Sequence, residues 1–342
     1  MASGSEIPRV IIVGIYGNRG QKLARALLEL SNFVKVVGGV DVSLVRPPNL
    51  PSELPVFPTL EQALSRLSFD VAILATPTGH HFDQVQLLLK SGVHVIKEKP
   101  FETRFNKARR LAELAIKANL SLFVLTQRAY YPTYVLAGRL WRRIQPFRFE
   151  MFISVDARKS NMGWRAIPEL ALGGVVSDLG YHALDLIVRY FGVPDGLCGM
   201  WTNISDKGRY RKMEDAADYL MSFRKHELAG ILKITRLSPS SREYLFIQGR
   251  SGSIKASTST LLVTRYRKGA DCSQIWKRSE QVVKWAALKH ILTRYLRALG
   301  DRKKTKEHLQ HHLNVVRLLE NCYKESHRLD APIKQLDDWD GR

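Results

Sequence analysis

The sequence predicts two units: an α/β N-terminal domain around a parallel sheet, then an α+β domain with an open, mostly antiparallel sheet. Three observations carry this. The 342 residues suffice for about two domains of ordinary size. Residues up to about Leu125 alternate short apolar runs with apolar residues at helical spacing, as crossovers between parallel strands require. Beyond them, strand-like runs follow one another with short turns, and two helices interrupt the series. The boundary is placed at 1–127 and 128–342.

Taken in order, Arg9–Val13 is an apolar strand that ends at Gly14, and Gln21–Leu30 has helical periodicity. Phe33–Val40 reads as a second strand closing on Asp41. Val42–Pro58 is Pro-rich and loop-like, with Val56–Phe57 as a short strand. Thr59 and Gln62 fit a capping box at the next helix. Asp70–Ala75 is a buried strand. Phe82–Ser91 is a helix closed by Gly92. Val93–Ile96, Asn106–Asn119 and Ser121–Leu125 complete a strand, helix, strand series. In the second half the expected strands are Phe147–Val155, Gly196–Ile204, Asp218–Phe223, Leu228–Thr235, Tyr244–Gln248 and Leu261–Tyr266. The helices are expected around Ser177–Tyr190 and Glu307–Ser326.

Hydrophobic residues make up 45% of the chain and charged residues 25%, which excludes a disordered or fibrous protein. Cys198, Cys272 and Cys322 are too few and too scattered for a disulfide framework or a Cys-x-x-Cys site, so a reducing, cytoplasmic setting is expected. Met1–Arg9 lacks the apolar core of a signal peptide, and no uninterrupted apolar run approaches the ~20 residues of a membrane helix. The net charge is +21. Residues 1–125 hold 15 basic and 10 acidic residues, whereas Arg265–Arg317 alone holds 14 basic and 4 acidic. That excess reads as solubility, as a bias toward an anionic substrate, or as a nucleic-acid footprint. No nucleic-acid module accompanies it, which places nucleic acid last.

Gly14-Ile-Tyr16-Gly17-Asn18-Arg19-Gly20 joins the first strand to the first helix. Such a turn sets backbone N–H groups and a helix N-terminus against a pyrophosphate. The spacing is G-x-x-G-x-x-G rather than G-x-G-x-x-G. The alternative is a glycine turn that only packs helix on strand. Asp41 ends the second strand, where a carboxylate accepts hydrogen bonds from adenosine ribose hydroxyls and repels a 2′-phosphate. NAD is therefore favoured, and Arg46 nearby leaves NADP open.

Lys99 follows a buried strand at the carboxyl edge of the sheet, where an ammonium can bond a substrate hydroxyl or carbonyl and stabilise oxyanion charge. Asp178 and His182 stand four apart, which on a helix places both on one face. A carboxylate there would fix the imidazole tautomer and raise its basicity.

Together with the glycine turn, Ala75-Thr-Pro-Thr-Gly-His-His81, Glu98-Lys99-Pro100 and Gly173-Gly174-Val-Val-Ser-Asp178-Leu-Gly-Tyr-His182-Ala-Leu-Asp185 resemble the Gfo/Idh/MocA family of oxidoreductases. Gly163-Trp164-Arg165, Gly249-Arg-Ser-Gly252 and Tyr323-Lys-Glu-Ser326 extend the resemblance from about Pro8 to Leu336. It implies a Rossmann dinucleotide domain and a substrate-binding and oligomerisation domain. The implied reaction moves a hydride between NAD(P) and a secondary alcohol or ketone of a sugar, cyclitol or nucleotide sugar. His182 is then the proton-handling residue, supported by Asp178 and Lys99. Glu98 borders the nicotinamide, Thr76 and Pro77 line that half of the groove, and His81 aligns with a histidine near the cofactor. Thr78 stands where many relatives have Asn.

Gln127 and Arg128, at the crossover between domains, are candidates for cofactor and substrate contact or for a packed hinge. Trp164 and Arg165 are candidates to cover the substrate pocket, with core packing of Trp164 as the alternative. Asp185 reads as structural. His308, His311 and His312 lie on a basic helix with no partnering carboxylate in sequence, so they read as a solvated face and no metal is expected. Relatives commonly pair through the second sheet, implying a homodimer or homotetramer. A non-catalytic dinucleotide sensor of the same fold is the competing reading.

Overall fold

The computed structural model describes residues 7–43, 45–156, 162–203, 213–268 and 271–328. Residues 1–6, Ile204 at the end of one expected strand and Leu336 at the end of the resemblance lie outside them.

The N-terminal domain is built from β1 (Arg9–Val13), α1 (Asn18–Leu28), β2 (Lys35–Val40), β3 (Val56–Phe57), α2 (Leu60–Arg66), β4 (Val71–Leu74), α3 (Thr78–Lys90), β5 (His94–Glu98), α4 (Phe105–Lys117) and β6 (Leu122–Leu125). All strand pairs are parallel, in the order β3-β2-β1-β4-β5-β6. The chain winds one way from β1 to β2 and the other way from β4, so the loops after β1 and β4 diverge and leave a crevice. Thr59 caps α2 by accepting from the Gln62 N–H at 3.3 Å. The strands are buried on both faces, which is why they read as continuous apolar runs.

α5 (Pro132–Leu140) leads into β7 (Pro146–Asp156), α6 (Pro168–Ala171), a π turn over Val176–Gly180, and α7 (Tyr181–Phe191). There follow β8 (Gly196–Thr202), β9 (Ala216–Phe223), β10 (Leu228–Thr235), β11 (Leu237–Gly249), β12 (Gly252–Ala256), β13 (Thr260–Arg265) and β14 (Cys272–Lys277). α8 (Glu280–Leu296), α9 (Arg302–Lys324) and β15 (Ser326–Arg328) close the described chain. The second sheet has the order β14-β13-β12-β11-β7-β10-β9-β8-β15. It is antiparallel except at β7–β10 and β8–β15.

Two cores form, and sequence order does not partition them. Val10, Ile12, Ile73 and Phe123 on one face of the first sheet pack with α1 and with Leu288, Ile291, Leu292 and Tyr295 of α8. The other face, with Ile11, Ala72, Val95 and Val124, shares a core with α3, α4, α9 and the inner face of the second sheet. α8 therefore returns from beyond residue 127 to cover the first sheet. Its apolar stripe is hidden inside the Arg265–Arg317 charge run, where the sequence reading saw charge alone.

Pro168–Phe191 has mean hydropathy 1.2 over its most apolar window, enough by length and composition to span a bilayer. It is not an uninterrupted apolar run, since Glu169, Asp178, His182, Asp185 and Arg189 lie within it. In this fold 72% of that window is buried inside the protein; it is a core segment.

Candidate active site

Gly14 (φ +82°) lets the chain turn sharply after β1. Its N–H donates to the Val40 carbonyl at 2.7 Å. A Cβ on Gly20 would lie 2.0 Å from the Gly14 carbonyl oxygen, so only glycine lets α1 start this close to the turn. Gly17 is the N-cap and provides no side-chain cap. The N–H groups of the first turn thus lack intrahelical acceptors. Positive helix-end potential and free donors together suit an anion.

Asp41 stands beside this turn. Its Oδ2 accepts from the Tyr16 N–H at 2.8 Å and its Oδ1 from the Ser43 N–H at 2.9 Å. These bonds fix the carboxylate and leave further lone pairs for ribose hydroxyls. Arg46 donates to the carbonyls of Pro51 and Leu54 at 2.6 and 2.7 Å, so its guanidinium is committed to the loop that follows β2.

A cavity of about 830 Å³ opens at the crevice, lined by Gly14, Gly17, Asp41, Thr59, Thr76 and Pro77, among others. It adjoins a second cavity of about 510 Å³, lined by Asn18, Arg19, Glu98, Lys99, Gln127 and His182, among others. Gly17, Ala75, Thr76 and Trp164 border both. The donor-rich turn, the fixed carboxylate and the long double cavity fit a dinucleotide.

Lys99 follows β5, and its peptide to Pro100 is cis. Lys99 Nζ donates to Asp178 Oδ1 and to the Asp178 carbonyl, both at 2.6 Å. Arg165 Nε donates to Asp178 Oδ2 at 3.2 Å. Burial pushes the Lys99 ammonium pKa down, against the pull of Asp178. For Asp178, burial would raise the pKa, but Lys99 and Arg165 outweigh it and hold the carboxyl well below its usual range.

Asp178 therefore does not polarise His182, contrary to the i, i+4 reading. Both carboxylate oxygens of Asp178 are taken instead, Oδ1 by Lys99 and Oδ2 by Arg165, where a π turn runs over Val176–Gly180. The Nδ1 atom of His182 is buried with no hydrogen-bond partner. Loss of solvent, then the charges of Arg128 and Lys99, hold this imidazole neutral.

Across the second cavity Arg19 Nε donates to Glu98 at 2.5 Å. With its amide oxygen turned toward Arg19, Gln127 accepts from Nη1 at 2.9 Å. The Trp164 ring carries the Arg165 guanidinium at 4.4 Å from its centroid, and Trp164 lines both cavities; it is a wall residue.

Three expected contacts lie elsewhere. His81 is 1% exposed; its Nε2 pairs with the Thr76 carbonyl at 2.9 Å, so it braces the loop from behind and His80 faces the cavity instead. The Tyr16 ring packs into the α1–α8 core, leaving its backbone at the turn. Arg128 Nε and Nη2 each donate to Glu243 Oε2 at 2.6 Å, which commits its charge to β11. Sequence reasoning missed Lys22, Met162 and the α3 face of His80, Asp83, Gln84 and Leu87. The 3-4-7 spacing of that face was the available signal. None of the cations in Arg265–Arg317 lines either cavity, so that stretch gives the cleft no contact with an anionic substrate.

Burial has a consequence for acid stability. His81, His182 and His312 are held well below the ordinary imidazole range, and His308 is pushed down to about 3, chiefly by loss of solvent. Unfolding restores a value of about 6.5. With depressed folded values, the stabilisation is complete above pH ~6.5 and is lost as pH falls, because the unfolded chain then binds more protons. Each such histidine contributes up to about 1.4 kcal/mol per pH unit below that point. Denaturant unfolding at pH 7, 6 and 5 is expected to show falling stability with uptake of more than one proton. Constant stability across that range would contradict the burial of these rings.

The sheet order, the crevice and the glycine turn define a dinucleotide-binding Rossmann architecture joined to an α+β domain. Residues 8–126 match the model of the oxidoreductase family with an NAD-binding Rossmann fold, and residues 145–255 match that of the GFO/IDH/MocA C-terminal domain. The chain belongs to the Gfo/Idh/MocA family. It is 31% identical over 149 residues to an oxidoreductase of Schizosaccharomyces pombe, a match covering 41% of this chain and 38% of the relative. It is 27% identical over 220 residues to the D-xylose 1-dehydrogenase (NADP(+)) of Hypocrea jecorina, covering 58% of this chain and 55% of that one. The matches thus span from just under two-fifths to just over half of these relatives' lengths. A 3-ketoreductase from Actinomadura kijaniata, solved with TDP-benzene and NADP, superposes with a TM-score of 0.80 at 15% identity, over 94% of this chain and 98% of that one.

Proposed function

We propose that this chain transfers a hydride between NAD and a secondary alcohol or ketone of a sugar, cyclitol or nucleotide sugar. The observation that carries this reading is the wall shared by Lys99, His182, Glu98 and Gln127 in a cavity continuous with the glycine-turn cleft. When bound, the nicotinamide supplies the carbon that accepts or gives the hydride.

Gly14, Gly17, Asn18, Arg19 and Gly20 hold the cofactor phosphates through the turn, the Tyr16 N–H fixes Asp41, and Asp41 takes the ribose hydroxyls. Thr76, Pro77, Glu98 and Gln127 border the far half. The Lys99 ammonium, fixed by Asp178, bonds the substrate oxygen and stabilises negative charge on it. His182 is neutral near pH 7, and with Nδ1 buried its Nε2 is the nitrogen that faces the cavity. In oxidation Nε2 takes the hydroxyl proton as hydride leaves carbon; in reduction it returns that proton. Arg165 and Trp164 close the substrate side. Lys22, Arg19 and Arg165 make the lining predominantly basic, which favours an anionic sugar derivative. Arg128 supports this wall through its bond to Glu243.

Preference for NAD rests on Asp41. Asp41→Ser is expected to lower the ratio of NAD to NADP affinity by about tenfold or more, or ~1.4 kcal/mol, because a 2′-phosphate no longer meets a carboxylate. Fluorescence titration with both reduced cofactors measures it, and an unchanged ratio would remove Asp41 from this role.

The sensor reading is not favoured, since Lys99, Asp178 and His182 are all in place. Free Cys198, Cys272 and Cys322 support a cytoplasmic setting. Exposed Met200, Leu220 and Leu237 on the second sheet support assembly as a homodimer or homotetramer, which light scattering reads directly. A monomer would remove that assignment.

A further inference from the structure

The three histidines of α9 are not a solvated face. His308 is half-buried and its Nε2 accepts from the Val124 N–H at 2.8 Å. His312 is 0% exposed. A carboxylate that sequence distance concealed, Asp185 of α7, is also 0% exposed and reaches the same point. One ligand atom from each of Asp185, His311 and His312 lies within 4.8 Å of the others.

The hydrogen bonding at this point is incomplete. Asp185 Oδ2 and His312 Nε2 are both buried with no partner. Unpaired buried polar atoms of this kind are costly. His312 Nδ1 pairs with the Tyr181 hydroxyl at 3.0 Å, which leaves Nε2 as the ring nitrogen open to a ligand. A second bond on the far nitrogen is the usual mark of a metal-ligating imidazole.

His311 Nε2 is 2.6 Å from Asp185 Oδ1, while Arg189 Nη2 is 3.2 Å from that oxygen and 3.3 Å from the same Nε2. No proton arrangement satisfies all three contacts. If Nε2 carries a proton for Asp185, it opposes the Arg189 N–H. If it is bare to accept from Arg189, its lone pair faces the carboxylate.

We propose that Asp185, His311 and His312 bind one divalent transition-metal ion of the Zn²⁺ class, pinning α7 to α9. Two imidazoles and a carboxylate suit Zn²⁺ or Co²⁺ and do not suit Ca²⁺ or Mg²⁺. A cation there takes the lone pairs of Oδ2 and both Nε2 atoms at once. Arg189, whose side chain is 37% exposed, swings to solvent and yields its place. A fourth position remains toward the His311 side, where the side chain is 19% exposed. The ion is structural in this account: α7 carries His182, and the ion fixes that helix to α9.

The test uses the untagged full chain, stripped with a chelator and dialysed, with no cofactor or substrate present. Its outcome is therefore independent of the proposed activity. Zn²⁺ alone is expected to bind at one equivalent per chain and to raise the unfolding midpoint by about 4 °C at saturation. Co²⁺ is expected to give the intense visible bands of a four-coordinate ion, bleached by added Zn²⁺. His311→Ala sits at the rim, keeps the fold and is expected to weaken Zn²⁺ binding by about 100-fold or more. Arg189→Ala removes the competing cation and is expected to tighten binding. A wild-type chain that retains no Zn²⁺, or Zn²⁺ binding unchanged in His311→Ala, would overturn the proposal.

Discussion

With Lys99 replaced by methionine, turnover is expected to fall by about 10²- to 10⁴-fold, with little change in NADH affinity. The expectation follows from where the ammonium stands. Lys99 Nζ is held by both the Asp178 carboxylate and the Asp178 carbonyl, so it reaches the cavity from a fixed position. Methionine keeps the length and the buried stem but removes the charge. Asp178 does not become an unpaired buried carboxylate, because Arg165 still bonds its Oδ2; the fold should therefore stand. Lys99→Arg is not expected to rescue activity, because a planar fork does not replace a compact ammonium at this spacing. Steady-state kinetics beside NADH fluorescence titration separates the two effects. Loss of NADH binding equal to the loss of turnover would place Lys99 in cofactor binding instead.

Gly20→Ala is expected to abolish measurable NADH binding and to destabilise the chain by about 1–3 kcal/mol. The new Cβ would meet the Gly14 carbonyl oxygen at 2.0 Å, Ile15 Cα at 2.7 Å and Gly14 C at 2.8 Å. All three are backbone atoms, so α1 itself must move away from the turn. Gly17 provides the contrast. A Cβ there meets only the Gly14 oxygen at 3.5 Å, yet Gly17 lines both cavities. Gly17→Ala is therefore expected to leave the melting temperature nearly unchanged while weakening NADH binding. The pair of variants tells close packing apart from cofactor approach.

Much of this was legible in the sequence, for reasons that differ from place to place. The first domain reads clearly because its strands are buried on both faces and its helices on one, giving two distinct periodicities. Lys99 was legible because a charged residue directly after a buried strand has few places to go. The glycine turn was legible through its setting more than its irregular spacing. β12 and β14 were missed because one is short and small-residued, Gly252–Ala256, and the other is mostly exposed and polar, Cys272–Lys277. α5 was read as part of a crossover, and α8 as charge.

The site was less legible than the fold. Spacing along the chain put Asp178 beside His182, but its carboxylate is taken by Lys99 and Arg165, contacts that no local pattern reports. The partners that matter are distant in sequence: Asp178 with Lys99, Arg128 with Glu243, Asp185 with His311. Each pairing is made by tertiary contact between elements that the sequence lists separately.

The central claim is that the double cavity binds NAD and that Lys99 and His182 carry out redox chemistry at its inner end. Its most direct test is reduced-nicotinamide absorbance with NAD⁺ and a panel of aldoses, cyclitols and nucleotide sugars, using wild type and His182→Ala. The account predicts turnover by wild type on at least one member, and a loss of about 10²-fold or more in His182→Ala while NADH still binds. A wild-type chain that binds NADH yet reduces no NAD⁺ across the panel, or a His182→Ala variant as fast as wild type, would contradict it.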